Sequence, residues 1–237
     1  MDTKALSGQA SVLIVGASRG LGLAIAEEYA KRGARVIATA RQAEPDALSA
    51  LQQRYPGKVE VEQVDIDDIE QIDALARRLG DREVDLLFVV AGVSLALVEQ
   101  PAADIATFDF VRTMTTNALG AMRTVERLAG HVSADGTIAV MSSGQGSIAN
   151  NTSGGFEVYR ASKAALNQLM RSFAARHAGD ARALLLLAPG WVRTDMGGEG
   201  AGLEISEAIP PLVDTVDAQR GTPGLRYLDR HGATVPW

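Results

Sequence analysis

Tyr159 and Lys163 stand four residues apart in the run Tyr159-Arg160-Ala161-Ser162-Lys163. On a helix that spacing is one turn, so the two side chains share a face. A phenol titrates near pH 10, and a cation within roughly 4–6 Å favours its ionised form. The pair is therefore a candidate proton donor and acceptor for chemistry near neutrality. Lowering the phenol by about three units corresponds to roughly 4 kcal/mol of preference for the phenolate, a demand that the surroundings have to meet. With four tyrosines and four lysines in 237 residues, the spacing arises by accident roughly 0.07 times. Taken alone, Tyr159 reads equally as a packing aromatic at a helix start and Lys163 as a solvated charge.

The run Gly16-Ala17-Ser18-Arg19-Gly20-Leu21-Gly22 follows an apolar segment and opens a helical pattern. Small residues there let backbone amides and the positive helix end approach a pyrophosphate. The spacing is Gly-x-x-x-Gly-x-Gly, and by itself it also fits a tight strand-to-helix turn with no ligand. About twenty residues beyond such a loop, an acid suits a ribose 2′-hydroxyl, whereas an arginine accommodates a 2′-phosphate. Here the second apolar run ends Thr39-Ala40-Arg41. With Arg19 as a second guanidinium, whose planar fork suits a phosphate dianion, the expected cofactor is NADP(H) rather than NAD(H).

These residues need a scaffold. The composition is 46% hydrophobic and 22% charged, as in a chain with a substantial core, and the length suits one domain. The net charge of −6 argues against a nucleic-acid or anionic-membrane partner held by general electrostatics. There is no cysteine, which excludes disulfides and thiolate chemistry. His131, His177 and His231 show no metal-ligand spacing, so no metal is expected. The apolar run Val12–Val15 is too short for a signal or membrane segment, and a cytoplasmic enzyme is the expectation.

Aliphatic runs alternate with helical spacing, the pattern of an α/β fold: a Rossmann-type, doubly wound parallel sheet in three layers. Expected strands are residues 11–16, 34–40, 59–65, 84–91, 136–142 and 181–188. A first helix covers about 19–32, and two long helical stretches cover 103–130 and 158–178. Residues 197–202 are glycine-rich, and the segment with Pro210 and Pro211 reads as a short helix and loop over the sheet. Residues 191–237 are expected to contribute cover on the substrate side of a single domain spanning 1–237.

The ordered set of motifs resembles the short-chain dehydrogenase/reductase family over almost the whole chain. Besides the glycine loop and Tyr159/Lys163, the matching residues are Asp65 and Ile66 after the third strand, Ala91-Gly92 after the fourth and Asn117 in the next helix. Ser142-Ser143 closes the fifth strand, and Pro189-Gly190-Trp191-Val192-Arg193-Thr194 follows the sixth. The stretches 150–165, 189–198 and Val235-Pro236-Trp237 are similar to the C-factor-like subgroup, which includes carbonyl reductases.

The resemblance implies that Tyr159 exchanges a proton with a carbonyl or alcohol oxygen while hydride moves at the carbon. It implies that Lys163 acidifies the phenol and binds the nicotinamide ribose, that Ser143 hydrogen-bonds the substrate oxygen, and that Asn117 holds a water relaying protons toward Lys163. Asp65 would contact the adenine, and Pro189, Gly190, Val192 and Thr194 would hold the nicotinamide. Two departures bear on the cleft: Val15 stands where the family usually has threonine, and Val90 where it usually has a structural asparagine. The interval from Ser143 to Tyr159 is long for the family, so a distinct loop, 144–158, is expected to border the substrate.

Ser94, Gln145, Phe156, Trp191 and Met196 are the expected pocket liners, an apolar set suited to a moderately hydrophobic ketone or aldehyde. The two long helices resemble surfaces through which the family forms homodimers or homotetramers. The contrasting expectation, from the likeness to C-factor, is a non-catalytic regulatory or signalling protein that binds NADP(H) as a ligand.

Overall fold

The computed structural model describes residues 10–42, 46–95 and 99–237. Seven strands, β1 (Ser11–Val15), β2 (Arg35–Ala40), β3 (Val59–Gln63), β4 (Val84–Val89), β5 (Val132–Met141), β6 (Ala183–Ala188) and β7 (Gly224–Asp229), form one sheet. The order is β3-β2-β1-β4-β5-β6-β7, with every neighbour parallel. Central strands such as β6, Ala-Leu-Leu-Leu-Leu-Ala, are buried throughout, because helices cover both faces and no position can be polar without cost.

Successive side chains alternate between the two faces. Leu13, Val15, Leu87 and Val89 join one core, and Val12, Ile14, Leu86 and Phe88 join the other. Helices α1 (Gly20–Lys31), α2 (Asp46–Arg54), α3 (Ile69–Leu79), α4 (Thr107–Met114), α5 (Ala121–Leu128), α6 (Glu157–Arg176) and α7 (Ile205–Ala218) complete the outer layers. The doubly wound three-layer fold of the sequence reading is therefore present. Strand order reverses between β1 and β4, which places a crevice beyond their carboxyl ends.

Three elements differ from the sequence expectation. β7 is a seventh strand where six were expected; its Gly224, Arg226 and Asp229 interrupt the apolar signal, as an edge position allows. The stretch 103–130 is not one helix. A single turn at Ala102–Asp104 precedes α4, a π-helical segment spans Thr115–Gly120, and α5 continues to Leu128. The widened turn carries Gly120 against the loop after β3, where a Cβ would meet the Ile66 carbonyl oxygen at 2.7 Å. The Pro210–Pro211 segment is a 14-residue helix, α7, begun by the Glu207 carboxylate accepting from the Glu204 N–H at 2.8 Å.

α7 packs on α1 through a polar contact. The buried Tyr29 hydroxyl donates to Asp217 at 3.0 Å, and Arg32 reaches Glu28, Asp214 and Asp217. Burial raises Asp217 from 3.8 to about 6, against the opposing pull of the Tyr29 hydrogen bond and the Arg32 charge. Because the folded value lies above the unfolded one, the contribution of Asp217 to folding stability is greatest below about 3.8 and is lost as pH rises through about 6, where the buried carboxylate must ionise. Asp217→Asn has no such titration. The melting temperature of the variant relative to the parent should therefore increase between pH 4.5 and pH 7.5, read by calorimetry; a constant difference would show that Asp217 titrates normally.

Candidate active site

Six strand ends open into one cleft of about 440 Å³. The glycine loop leaves β1 as Gly16, Ser18, Arg19, Gly20, Leu21 and Gly22; Arg41 follows β2; Asp65 and Ile66 follow β3; and Ala91, Gly92 and Ser94 follow β4. Ser143 and Gln145 leave β5, and Pro189, Gly190, Trp191, Val192, Thr194 and Met196 leave β6, with Phe156, Tyr159 and Lys163 supplied by the start of α6. All of the sequence-expected site residues except Asn117 thus border the same space.

The loop geometry explains its glycines. Gly16 has φ +93° and a Cβ there would meet Ala91 at 2.7 Å, while a Cβ on Gly22 would meet the Gly16 carbonyl oxygen at 2.0 Å. The Gly16 N–H donates to the buried Thr39 hydroxyl at 3.2 Å, a partner that the sequence alone does not single out. α1 begins without a side-chain cap and without an acid in its first turn, so its leading amides and positive end face the cleft, as an anion site requires. The departures at Val15 and Val90 are met by backbone: the Val15 carbonyl accepts from Val90 N–H at 2.8 Å and Ala91 N–H at 3.0 Å.

Arg41 is exposed at the cleft edge. Arg19 crosses the cleft to pair with Asp195 at 2.5 Å, both side chains more than two-thirds exposed. Such a pair contributes at most about 1 kcal/mol and yields readily to a phosphate. Asp65 turns one carboxylate oxygen to the Asp67 N–H at 3.0 Å. Asp67 also borders the cleft, with one oxygen accepting from Thr116 at 2.8 Å and the other buried without a partner.

Asn117 lies in the π-helical segment, fully buried. Its amide donates to the Val93 carbonyl at 2.8 Å and to the Ser162 hydroxyl at 2.9 Å, and its oxygen accepts from the Val93 N–H at 2.7 Å. The side chain is committed to the chain after β4 and does not reach the cleft. Gly92 separates it from Lys163: a Cβ on Gly92 would lie 3.2 Å from Asn117 Oδ1 and 3.5 Å from Lys163 Nζ.

Lys163 is 3% exposed, and its ammonium donates to the Met141 carbonyl at 2.9 Å and lies 5.8 Å from the centre of the Tyr159 ring. The expectation that this cation draws the phenol down is not met. Burial raises Tyr159 above its ordinary value of 10, the Ser143 hydrogen bond partly offsets the rise and the Tyr227 phenol adds to it. Lys163 is itself lowered to about 8 by desolvation. The buried lysine and the half-buried phenol each drift toward their neutral forms, and desolvation is the largest influence on the phenol.

Phe156 opens α6 in the left-handed region, with φ +51°, a conformation that a bulky residue holds only when surroundings enforce it. Arg160 does so by donating to the Gly155 carbonyl at 2.9 Å and the Gly154 carbonyl at 3.0 Å. Trp191 is half exposed, and its indole N–H donates to the Gly197 carbonyl at 2.8 Å. Of the segment 191–237, the residues that border the cleft run from Trp191 to Gly197, while α7 packs on α1 and β7 extends the sheet. Among the described residues, no group of histidines or carboxylates has the arrangement of a metal site, and no helix is long and apolar enough to cross a membrane.

Residues 10–201 match the short chain dehydrogenase family, and the chain belongs to this family of oxidoreductases. A 1-hydroxy-2-glutathionyl-2-methyl-3-butene dehydrogenase of Rhodococcus sp. (strain AD45) is 32% identical over 234 residues, covering 96% of this chain and 99% of that one. The C-signal protein of Myxococcus xanthus is 36% identical over 166 residues, covering 69% of this chain and 99% of that one. Among solved structures, a short-chain dehydrogenase/reductase from Burkholderia multivorans with bound NADP superposes with a TM-score of 0.94 at 54% identity, over 97% of this chain and all of the other. A carbonyl reductase from Pseudomonas aeruginosa PAO1 in complex with NADP gives 0.88 at 37% identity, again over 97% of this chain and all of the other. These matches place the chain in the C-factor-like subgroup of the family.

The lysine value is directly measurable. In protein with isotopically labelled lysine, one side-chain resonance should titrate near pH 8 and vanish in Lys163→Met; if every lysine titrates above pH 10, the ammonium is not desolvated as described.

Proposed function

We propose that the protein is an NADP(H)-dependent oxidoreductase that interconverts a carbonyl compound and a secondary alcohol, with Tyr159 as general acid and base. The observation that carries this reading is the meeting of Ser143, Tyr159 and the buried Lys163 at the mouth of a cleft whose other end is the glycine loop. The residues present fit a dinucleotide: an uncapped helix start, glycines with no room for side chains and an arginine where an acid would select NAD(H). NADPH bound there supplies the hydride. The NADP-bound relatives support the same choice.

In this reading Ser143 hydrogen-bonds the substrate oxygen and Tyr159 delivers its proton as the oxygen gains charge. A phenol raised above its usual value holds its proton through neutral pH, which suits reduction; the reverse reaction needs the phenolate and is favoured by alkali. Lys163 positions the nicotinamide ribose, and Asn117 acts by fixing the chain after β4 around the lysine. Asp65 and Ile66 hold the adenine, and Pro189, Gly190, Val192 and Thr194 hold the nicotinamide. Ser94, Gln145, Phe156, Trp191 and Met196 form the substrate side, with cover from residues 191–197. The substrate is a moderately apolar ketone or aldehyde. Phe108, Val111, Leu119 and Leu169 are exposed along the α4–α6 side, which supports a homodimer or homotetramer.

Tyr159→Phe should lower carbonyl reduction by at least about 10² while NADPH binding, followed by fluorescence, stays within about twofold. Reduction at the parent rate by this variant would refute the role of the phenol and favour the regulatory reading suggested by C-signal. Arg41→Ala should raise the NADPH KM by about tenfold or more, the loss of a charge-assisted contact, and leave the NADH KM unchanged. Reduction should hold at neutral pH and fall as pH passes about 8, where Lys163 loses its charge; a rate that climbs through pH 9 would contradict this.

A further inference from the structure

Ser143 leaves β5 at the start of a loop, yet its backbone is held from two directions. It is extended, with φ −163° and ψ 149°, and its carbonyl accepts from the Gly146 N–H at 2.8 Å and from the Tyr227 hydroxyl. Tyr227 belongs to β7, two strands away, and is 1% exposed. Its ring packs on Trp237 with centroids 5.5 Å apart, and the Trp237 carbonyl accepts from the Ala149 N–H at 2.9 Å, within the loop that follows Ser143.

The residues on either side are gripped from α6. Asn167 donates to the Gly146 carbonyl at 3.2 Å and accepts from the Ser142 hydroxyl at 2.6 Å, one turn beyond Lys163. A buried phenol that served packing alone would be better replaced by phenylalanine, which carries no polar group to desolvate. The hydroxyl instead fixes the peptide that follows Ser143, and with it the turn whose Gln145 N–H donates to the serine oxygen at 3.2 Å and sets its direction relative to Tyr159.

We infer that Tyr227 is a positioning residue for the reaction: its hydroxyl holds the Ser143 carbonyl while Asn167 holds the flanking Ser142 hydroxyl and Gly146 carbonyl, so that the serine hydroxyl faces the Tyr159 phenol. The inference rests on the roles given to Ser143 and Tyr159 under the proposed function. Tyr227 touches no substrate or cofactor in this account and acts through Ser143.

The test is a double-mutant cycle with NADPH and 1-phenyl-1,2-propanedione as the carbonyl probe, paired with a crystal structure of Tyr227→Phe. The variant should lower kcat about tenfold, the size of one lost hydrogen bond, with the NADPH KM unchanged. In the Ser143→Ala background it should cause no further loss, because the group it positions is already gone. The crystal structure should show the Ser143 hydroxyl out of reach of Tyr159, a readout that needs no turnover. A parent-like kcat, losses that multiply in the double variant, or an unmoved Ser143 overturns the inference. If Tyr227→Phe does not fold, Asn167→Ala is carried through the same cycle with the same expectations. If Ser143→Ala and Tyr159→Phe themselves leave turnover intact, the proposed function falls and this inference with it; if they abolish it and Tyr227→Phe does not touch it, only this inference falls.

Discussion

Lys163 is the fixed point around which the cleft is assembled. Its ammonium reaches from α6 to the Met141 carbonyl at the end of β5, and two glycines give way to let it pass. A Cβ on Gly92 would stand 3.5 Å from the nitrogen, and one on Gly146 would stand 2.9 Å from the lysine Cβ. Burying an ammonium costs free energy unless it is hydrogen-bonded, and one backbone carbonyl meets that need only in part. The remaining cost appears as a value lowered to about 8. A side chain in that state holds α6 against the sheet, keeps Tyr159 at the cleft mouth and is available to an incoming polar ligand.

The surrounding polar groups form a connected set rather than isolated contacts. Asn117 ties the chain after β4 to Ser162, next to the lysine. Asn167 ties the turn after Ser143 to the same helix, and Thr39 anchors the first glycine of the nucleotide loop. Each buried amide or hydroxyl in this set has a partner, so these side chains are held in place by the protein itself, which is what positioned acid–base chemistry requires.

Much of this was readable in the residues because backbone geometry demands particular amino acids. The glycine loop announces itself since no side chain fits at Gly16 or Gly22, and the buried strands appear as unbroken aliphatic runs. Tyr159 and Lys163 meet because one helical turn separates them. The illegible parts depend on distance along the chain. Tyr227 lies 84 residues from the carbonyl it holds, and no local pattern marks a tyrosine on a polar edge strand as a partner of Ser143. The π-helical turn at Thr115–Gly120 looks like ordinary helix in sequence. The direction of the Tyr159 shift escaped for another reason: spacing reports that a cation is near, whereas the outcome is set by how much water both groups lose.

The claim on which the account turns is that Tyr159, oriented by Ser143 and Lys163, faces the reacting carbon. A crystal structure of the protein with NADP and an unreactive carbonyl analogue measures this directly. The account predicts the Tyr159 and Ser143 oxygens both within about 3 Å of the analogue oxygen, with the nicotinamide C4 about 3–3.5 Å from its carbon. A phenol turned away from the analogue, or a nicotinamide bound elsewhere than between the β4 and β6 loops, would contradict it.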